Sequence, residues 1–281
     1  MQHQWAWPRH GQGPHRGRKF LVLVAKVIAA ESRSALPPGL MLGYAGPMTI
    51  TLCIDTSTPH CSVALAIGDD VFADTQRLER RHNQEIIPML DGIYQRAGLA
   101  VRDTELVSFS AGPGGFTGVR IAASVAQGVA MACGCPVVPQ RCSDILVRSW
   151  AQCPPSVERV MCIVPSRAQS FYVSVHSGGP GLWSQQHTDQ LCDTAPEWIR
   201  DIAASADLQP PTIATIGAIP DWLPDELKAC SHGEVIPDAQ AMLSTARSTH
   251  AAGRSVSAEF ALPIYVQGDS PWRKRRSGAT S

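Results

Sequence analysis

Two stretches carry the residue types from which a phosphate site is built. Asp55 closes an apolar run and is followed by Thr56, Ser57 and Thr58, and residues 112–120 read Gly-Pro-Gly-Gly-Phe-Thr-Gly-Val-Arg. A carboxylate is a hard oxygen ligand suited to Mg²⁺, and the hydroxyls beside it line a phosphate turn. Glycines let a backbone take left-handed torsions or approach another surface closely. A helix N-terminus behind them presents free N–H groups to an anion, and Thr117 is placed to cap that helix. Asp55, Thr56, Gly112 and Gly114 therefore form a candidate nucleotide site for weakly held ATP or ADP with Mg²⁺. The spacing is neither a Walker A loop nor GxGxxG. The alternative is that Asp55 only caps its own turn through local hydrogen bonds.

Other chemistries find fewer parts. From His60 onward the histidines are His60, His82, His176, His187, His232 and His250, with no HxxxH pair, so no metal ligand set is expected. GxSxG is absent, as is a Cys/His pairing with a local signature, and no catalytic residue is assigned. The nine cysteines are odd in number and irregular in spacing, with Cys133 and Cys135 forming CxC rather than CxxC. They read as reduced thiols of a cytoplasmic protein.

The elements that must position these residues follow from periodicity. Residues 49–55, 61–67 and 71–77 read as strands, and a helix over 84–97 carries Ile86, Ile87, Leu90, Ile93 and Tyr94 between Asn83 as cap and Gly98 as stop. Pro88 sits awkwardly in it. A strand near 105–110, the glycine turn, a second helix and a short strand at 136–139 complete a β-β-β-α-β-α-β order. Strands at 159–164, 170–176, 181–187 and 212–216, with helices near 195–204 and 238–251, roughly repeat it. The order predicts an α/β fold of two tandem ribonuclease-H-like domains, as in the actin-like ATPase (ASKHA) superfamily, spanning 48–150 and 151–281.

Composition fits that picture. Hydrophobic residues make up 44% and charged residues 17%, ordinary for a folded globule. Residues 1–47 hold six Lys or Arg and one acid (+5), leaving the body at −5 in a chain of net charge 0, which disfavours a phosphate-gripping surface for nucleic acid. Arg16, Arg18 and Lys19 before Phe20 look like a signal peptide, but Lys26 interrupts the apolar run. Residues 1–47 read as an extension, disordered or upstream of a working start at Met48. No apolar run approaches the ~20 residues a bilayer span needs, so no membrane is expected. The basic run at 273–276 reads as a solvated tail.

The second-half counterpart of the phosphate turn, residues 163–167, reads Ile-Val-Pro-Ser-Arg. It has no carboxylate, and Pro165 removes a backbone donor, so independent phosphoryl transfer is not expected. The helices offer another use. Gly118, Ala122, Ala126 and Ala130 form a small-residue stripe, with Ile121, Val125 and Val129 beside it. Such doubled stripes fit a helix buried in its own α/β layer, or an interface with a partner's helices.

The string Ile54-Asp55-Thr56-Ser57-Thr58, then Cys61 to Leu65, His82 opening a helix, residues 112–121 and Ala126-Gln127-Gly128 resembles the TsaB (YeaZ) family. This is the dimerisation subunit of bacterial tRNA threonylcarbamoyladenosine synthesis. The resemblance covers about residues 48–275 and is strongest over 50–140. It implies a two-lobed, non-catalytic scaffold that pairs with the catalytic paralogue TsaD or with a second copy, works with the ATPase TsaE, and meets tRNA through the complex. On this resemblance the partner-facing residues are His82, Ile86, Leu90, Ile93, Arg120, Ala122 and Ala126. Two departures stand out. Gly115 replaces a common serine, and the family's DARxxEVY segment here reads Pro165-Ser166-Arg167-Ala168-Gln169-Ser170-Phe171-Tyr172, keeping Arg167 and Tyr172 but neither acid. Gln267 stands where the family's tail carries arginine, before Trp272. The competing assignment is a nucleotide-hydrolysing enzyme acting through Asp55, and the peptidase label attached to relatives finds no supporting residues.

Overall fold

The computed structural model describes residues 49–150, 154, 156–167, 169–179, 182–205 and 210–266. The expectations for residues 1–47, for Gly181 and for the tail with Gln267, Trp272 and 273–276 fall outside the described residues. β1 (Thr51–Asp55), β2 (His60–Ile67) and β3 (Asp70–Arg77) make an antiparallel meander. β1 and β2 are buried along their whole length, as their near-continuous apolar runs require, while β3 is a largely exposed edge strand. Then come α1 (His82–Ala97), β4 (Leu106–Gly112), α2 (Phe116–Cys133), β5 (Val137–Arg141) and α3 (Cys142–Ser149). β4 and β5 join in parallel, giving the order β3-β2-β1-β4-β5.

The pattern recurs. β6 (Arg159–Pro165), β7 (Phe171–Ser177), β8 (Ser184–Cys192), α4 (Glu197–Ala204), β9 (Thr212–Thr215), α5 (Asp225–Lys228) and β10 (Ser231–Glu234) build a second sheet. Its order is β8-β7-β6-β9-β10, with β6 antiparallel to β7 and parallel to β9. The molecule is an α/β protein with two mixed sheets of the same order and strand sense. A 3₁₀ turn at Ala239–Met242 leads into α6 (Leu243–Ala251).

Several local expectations need correcting. Neither Asn83 nor Thr117 is a cap. α1 starts behind Arg81 and α2 behind Gly115, with no side-chain cap bond in either case. Pro88 lies inside α1 instead of delaying its start. It is exposed, so water can reach the Gln84 carbonyl that loses its N–H partner. Gly98 does end α1, in the left-handed conformation at φ 66°. α3, α5 and β10 are additional elements. α3 carries little local signal because it starts directly off β5 without a capping side-chain bond and lasts only eight residues.

α3 is nevertheless central. Ile145 packs with Cys53, Leu106 and Val138 of the first sheet, while Leu146, Val147 and Trp150 pack with Val160, Cys162 and Tyr172 of the second. α1 and α2 cover the other face of the first sheet, and α4 packs on the far face of the second. Residues 239–264 return across the boundary drawn at 150/151. Ala239, Met242 and Ala246 join the first sheet's cluster, Val256 bridges to Val137, and the Ile264 N–H donates to the Ala111 carbonyl at 2.7 Å. Arg247 fastens this return by donating to the carbonyls of Gly68 (2.7 Å) and Thr49 (3.3 Å).

A buried polar seam lies between α3 and the second sheet. His176 on β7 is fully buried, with Nε2 3.3 Å from Ser174 Oγ and Nδ1 3.6 Å from Asp144 Oδ1 on α3, beyond hydrogen-bonding distance. Asp189 on β8, held by Arg141 at 3.0 Å, and Arg148 on α3 are the other charges that act on it. Burial holds its imidazole below the ordinary 6.5, and the pull of Asp144 and Asp189 in the opposite direction is smaller. A histidine held neutral in the fold takes up its proton first in the unfolded chain. Stability is therefore complete well above 6.5 and is lost as the pH falls through that value. Thermal melts from about pH 8 to about pH 5 should show a falling midpoint whose slope is shallower in His176→Gln. An unchanged slope in the variant contradicts this origin.

Candidate functional site

A cleft of about 560 Å³ opens between the turn after β1, the start of α2 and the ends of β6 and β9. Its first-half wall holds Thr56, Ser57, His82, Asn83, Thr117 and Gly118, and its second-half wall holds Pro165, Ser166, Gly217 and Glu234. Arg77, Glu79 and Arg80 rim it from the turn after β3. Glu79, with its partner Arg77 at 2.9 Å, and Glu234 are carboxylates that the sequence reading did not place here. Glu234 ends β10, a strand of only four residues, and lies some seventy residues along the chain from the acid-free loop at 163–167.

The phosphate-turn candidates meet each other before they meet the cleft. Thr56 Oγ1 donates to the Gly118 carbonyl at 2.8 Å, and the Gly115 N–H donates to the Ser57 carbonyl at 2.7 Å. A Cβ on Gly118 would fall 1.9 Å from the Thr56 carbonyl oxygen, and one on Gly114 would fall 2.8 Å from that of Ser57. Such distances are impossible for a side chain, so two backbones approach here as only glycine permits. At Gly115 a Cβ would meet the Ser57 oxygen at 3.3 Å, a tight contact but the easiest of the three. Gly112 serves differently. It sits at φ +108°, where a β-bulge interrupts the β4–β5 register, and the Ile264 carbonyl packs 3.0 Å from its would-be Cβ.

Asp55 lies behind this closure and does not line the cleft. Its Oδ1 accepts from the Ser57 N–H (2.8 Å), Ser57 Oγ (2.7 Å) and Ser110 Oγ (2.7 Å), and its Oδ2 is buried without a partner among the described residues. The carboxylate braces the turn, which is the local-cap alternative. Burial, reinforced by the Asp55 charge, also pushes the neighbouring Cys142 thiol well up, so that buried group stays protonated. A nucleotide–Mg²⁺ site fits these residues poorly, because the Thr56 hydroxyl and the Gly115 amide are committed internally and the Asp55 carboxylate is buried and does not line the cleft.

The residues expected to face a partner divide into two groups. Ile86, Leu90, Ile93, Ala122 and Ala126 are buried in the chain's own core with Leu52, Ile54 and Phe109, so their side chains have no surface to offer. The regular stripe on each helix is its attachment to the sheet. His82 is also buried, with Nε2 3.3 Å from the His60 carbonyl, at the cleft wall. Arg120 is accessible. Its guanidinium lies 3.2 Å above the Phe116 ring and 5.5 Å from that of Tyr265. The outward row of α2 is Arg120, Ser124, Gln127 and Met131, of which Met131 is 71% exposed. α2 is also the described helix long and apolar enough to cross a bilayer, yet its apolar side is packed on the first sheet. No cluster of three metal-ligating side chains occurs among the described residues.

Comparison with known proteins places this architecture. Residues 76–173 match the family model described as TsaD, tRNA N6-adenosine threonylcarbamoyltransferase. The tRNA threonylcarbamoyladenosine biosynthesis protein TsaB of Escherichia coli K12 is 29% identical over 227 residues, covering 79% of this chain and 96% of that protein. TsaB of Haemophilus influenzae is 29% identical over 235 residues, covering 79% and 95%. The solved structure of YeaZ from Pseudomonas aeruginosa superposes with a TM-score of 0.63 at 26% identity, over 78% of this chain and all of that one. Together these matches support the TsaB (YeaZ) family for this chain. Within a TsaB-type chain the glycine string is thus the device that presses α2 against the Thr56–Ser57 turn.

Paired substitutions test that assignment. Gly118→Ala should destabilise by about 1–3 kcal/mol or more through backbone overlap. Gly92→Ala on α1, where an added Cβ meets nothing within 4 Å, should be neutral or stabilising by up to about 1 kcal/mol. Equal effects in urea denaturation would sink the close-approach account.

Proposed function

We propose that this chain is a non-catalytic subunit of the complex that makes N6-threonylcarbamoyladenosine at position 37 of tRNA. It would act as a scaffold and activator for a TsaD-type catalytic partner, alongside the TsaE ATPase, and reach tRNA only through that complex. Two tandem ribonuclease-H-like domains describe its two sheets of matching order, and a cytoplasmic location follows from the same role. The observation that carries the proposal is the closure of the glycine turn on Thr56 and Ser57. That closure commits the Thr56 hydroxyl and the Gly115 amide, two donors of the candidate phosphate turn, while the chain aligns with nearly all of the E. coli TsaB sequence.

The partner surface is best sought on the outward row of α2 and the rings beside it. Phe116 and Tyr265 are each about half exposed and are bound together by Arg120. Aromatic and arginine side chains of this kind anchor protein interfaces. A second copy of this chain could occupy the same face in the partner's absence.

Co-purification with the TsaD protein of the same source tests the proposal. Wild type should associate and support threonylcarbamoyl transfer. Met131→Glu and Arg120→Glu should each weaken association at least about tenfold at an unchanged melting temperature, since neither side chain is in the core. Association unaffected by both would remove α2 as the contact, and no association by wild type would remove the scaffold role. A nucleotide-hydrolysing enzyme is favoured only by the unpartnered Asp55 Oδ2. It would instead show Mg²⁺-dependent ATP turnover by the isolated chain, lost in Asp55→Ala.

A further inference from the structure

Cys133 and Cys135 lie far from the cleft and serve nothing described so far. Cys133 is the last residue of α2, and Gly134 turns the chain through the left-handed conformation at φ 66°. The Cys135 N–H then returns to the Ala130 carbonyl at 3.1 Å. This reversal brings the two side chains to one side of the turn. Both line a surface depression of about 550 Å³ together with Arg102, Asp103, Thr104 and Glu105. Cys133 is half-buried, and its Sγ donates to the Val101 carbonyl at 3.2 Å.

We propose that Cys133 and Cys135 form a vicinal dithiol that low-molecular-weight disulfides convert reversibly into an intrachain disulfide. The inference rests on this geometry and not on the assigned function. Cys133 attacks as thiolate on one sulfur of the small disulfide, forming a mixed disulfide and releasing one small thiolate. Cys135 then loses its proton to solvent and attacks the Cys133 sulfur, releasing the second. Two electrons pass from the protein dithiol to the small disulfide, and two small thiols leave.

The order of the two steps follows from the pair's polarity. The neighbouring Cys135 side chain draws the Cys133 thiol below its ordinary range, while Cys133 and burial hold Cys135 above it, as an attacking and a resolving thiol require. Burial pushes Cys192 up to about 11 and Cys61 to about 12, and it raises Cys53, Cys142 and Cys162 as well. These five are therefore poor competitors. Oxidation also removes the S–H that ties the end of α2 to the turn at Val101–Asp103.

Trypsin cuts after Arg120 and Arg141, so one peptide carries this pair and no other cysteine. The full-length reduced chain is incubated with oxidised glutathione, acid-quenched and digested without reductant. The expected product is that peptide short of two hydrogens, restored by dithiothreitol. Cys135→Ser should stop at a glutathione adduct on Cys133, and Cys133→Ser should leave Cys135 unmodified. The proposal is overturned if the wild-type peptide keeps both thiols at an oxidant level that modifies the half-buried Cys230, or if a stable adduct on Cys133 accumulates without ring closure.

Discussion

The structure depends on one close approach. The turn that follows β1 and the loop that opens α2 touch backbone to backbone, with Gly114 and Gly118 set against the carbonyls of Ser57 and Thr56. Two hydrogen bonds, from Thr56 Oγ1 and from the Gly115 amide, close the contact. From behind, Asp55 gathers Ser57 and Ser110 on a single carboxylate oxygen, so the end of β1, the end of β4 and the start of α2 are held as one unit. A buried carboxylate is costly unless hydrogen bonds compensate it, and three donors on one oxygen offset part of that cost. The same residues that make a phosphate cradle in an open arrangement make a joint in this closed one.

That joint fixes what the rest of the molecule presents. With its N-terminus pressed onto the turn, α2 lies along the first sheet, buries Val119, Ala122, Val125, Ala126 and Val129, and turns Ser124, Gln127 and Met131 outward. The C-terminal return reinforces the arrangement, because Ile264 bonds to Ala111 beside the glycine string and Tyr265 reaches the Arg120 guanidinium. α3 then carries the register of the first sheet to the second through side chains on opposite faces. The cleft lies where the two sheets' matching ends face each other.

Much of this was legible in the residues. The strands of the first sheet announce themselves because their apolar runs are bounded by turn residues, and the glycine string marks a place where a side chain has no room. The stripes on the helices were legible as stripes but not as to their cover. Ile86, Leu90 and Ala126 look the same whether a sheet or a partner lies against them, since periodicity reports burial and not the identity of what buries. Glu234 in the cleft was hidden for a different reason. It belongs to a four-residue strand whose place is set by pairing with β9, a tertiary fact without a local signal. Cys133 and Cys135 were visible as a CxC spacing, yet only the left-handed turn at Gly134 brings both to the wall of one depression.

Amide hydrogen exchange at Gly115 tests the central claim most directly. If its N–H is committed to the Ser57 carbonyl within a closed joint, it should exchange as slowly as the amides of β1 and β4, and adding Mg²⁺ with ADP should leave the rate unchanged. Fast exchange typical of an exposed loop, slowed only when the nucleotide is present, would mean that the turn stands open as a phosphate cradle and would contradict the account.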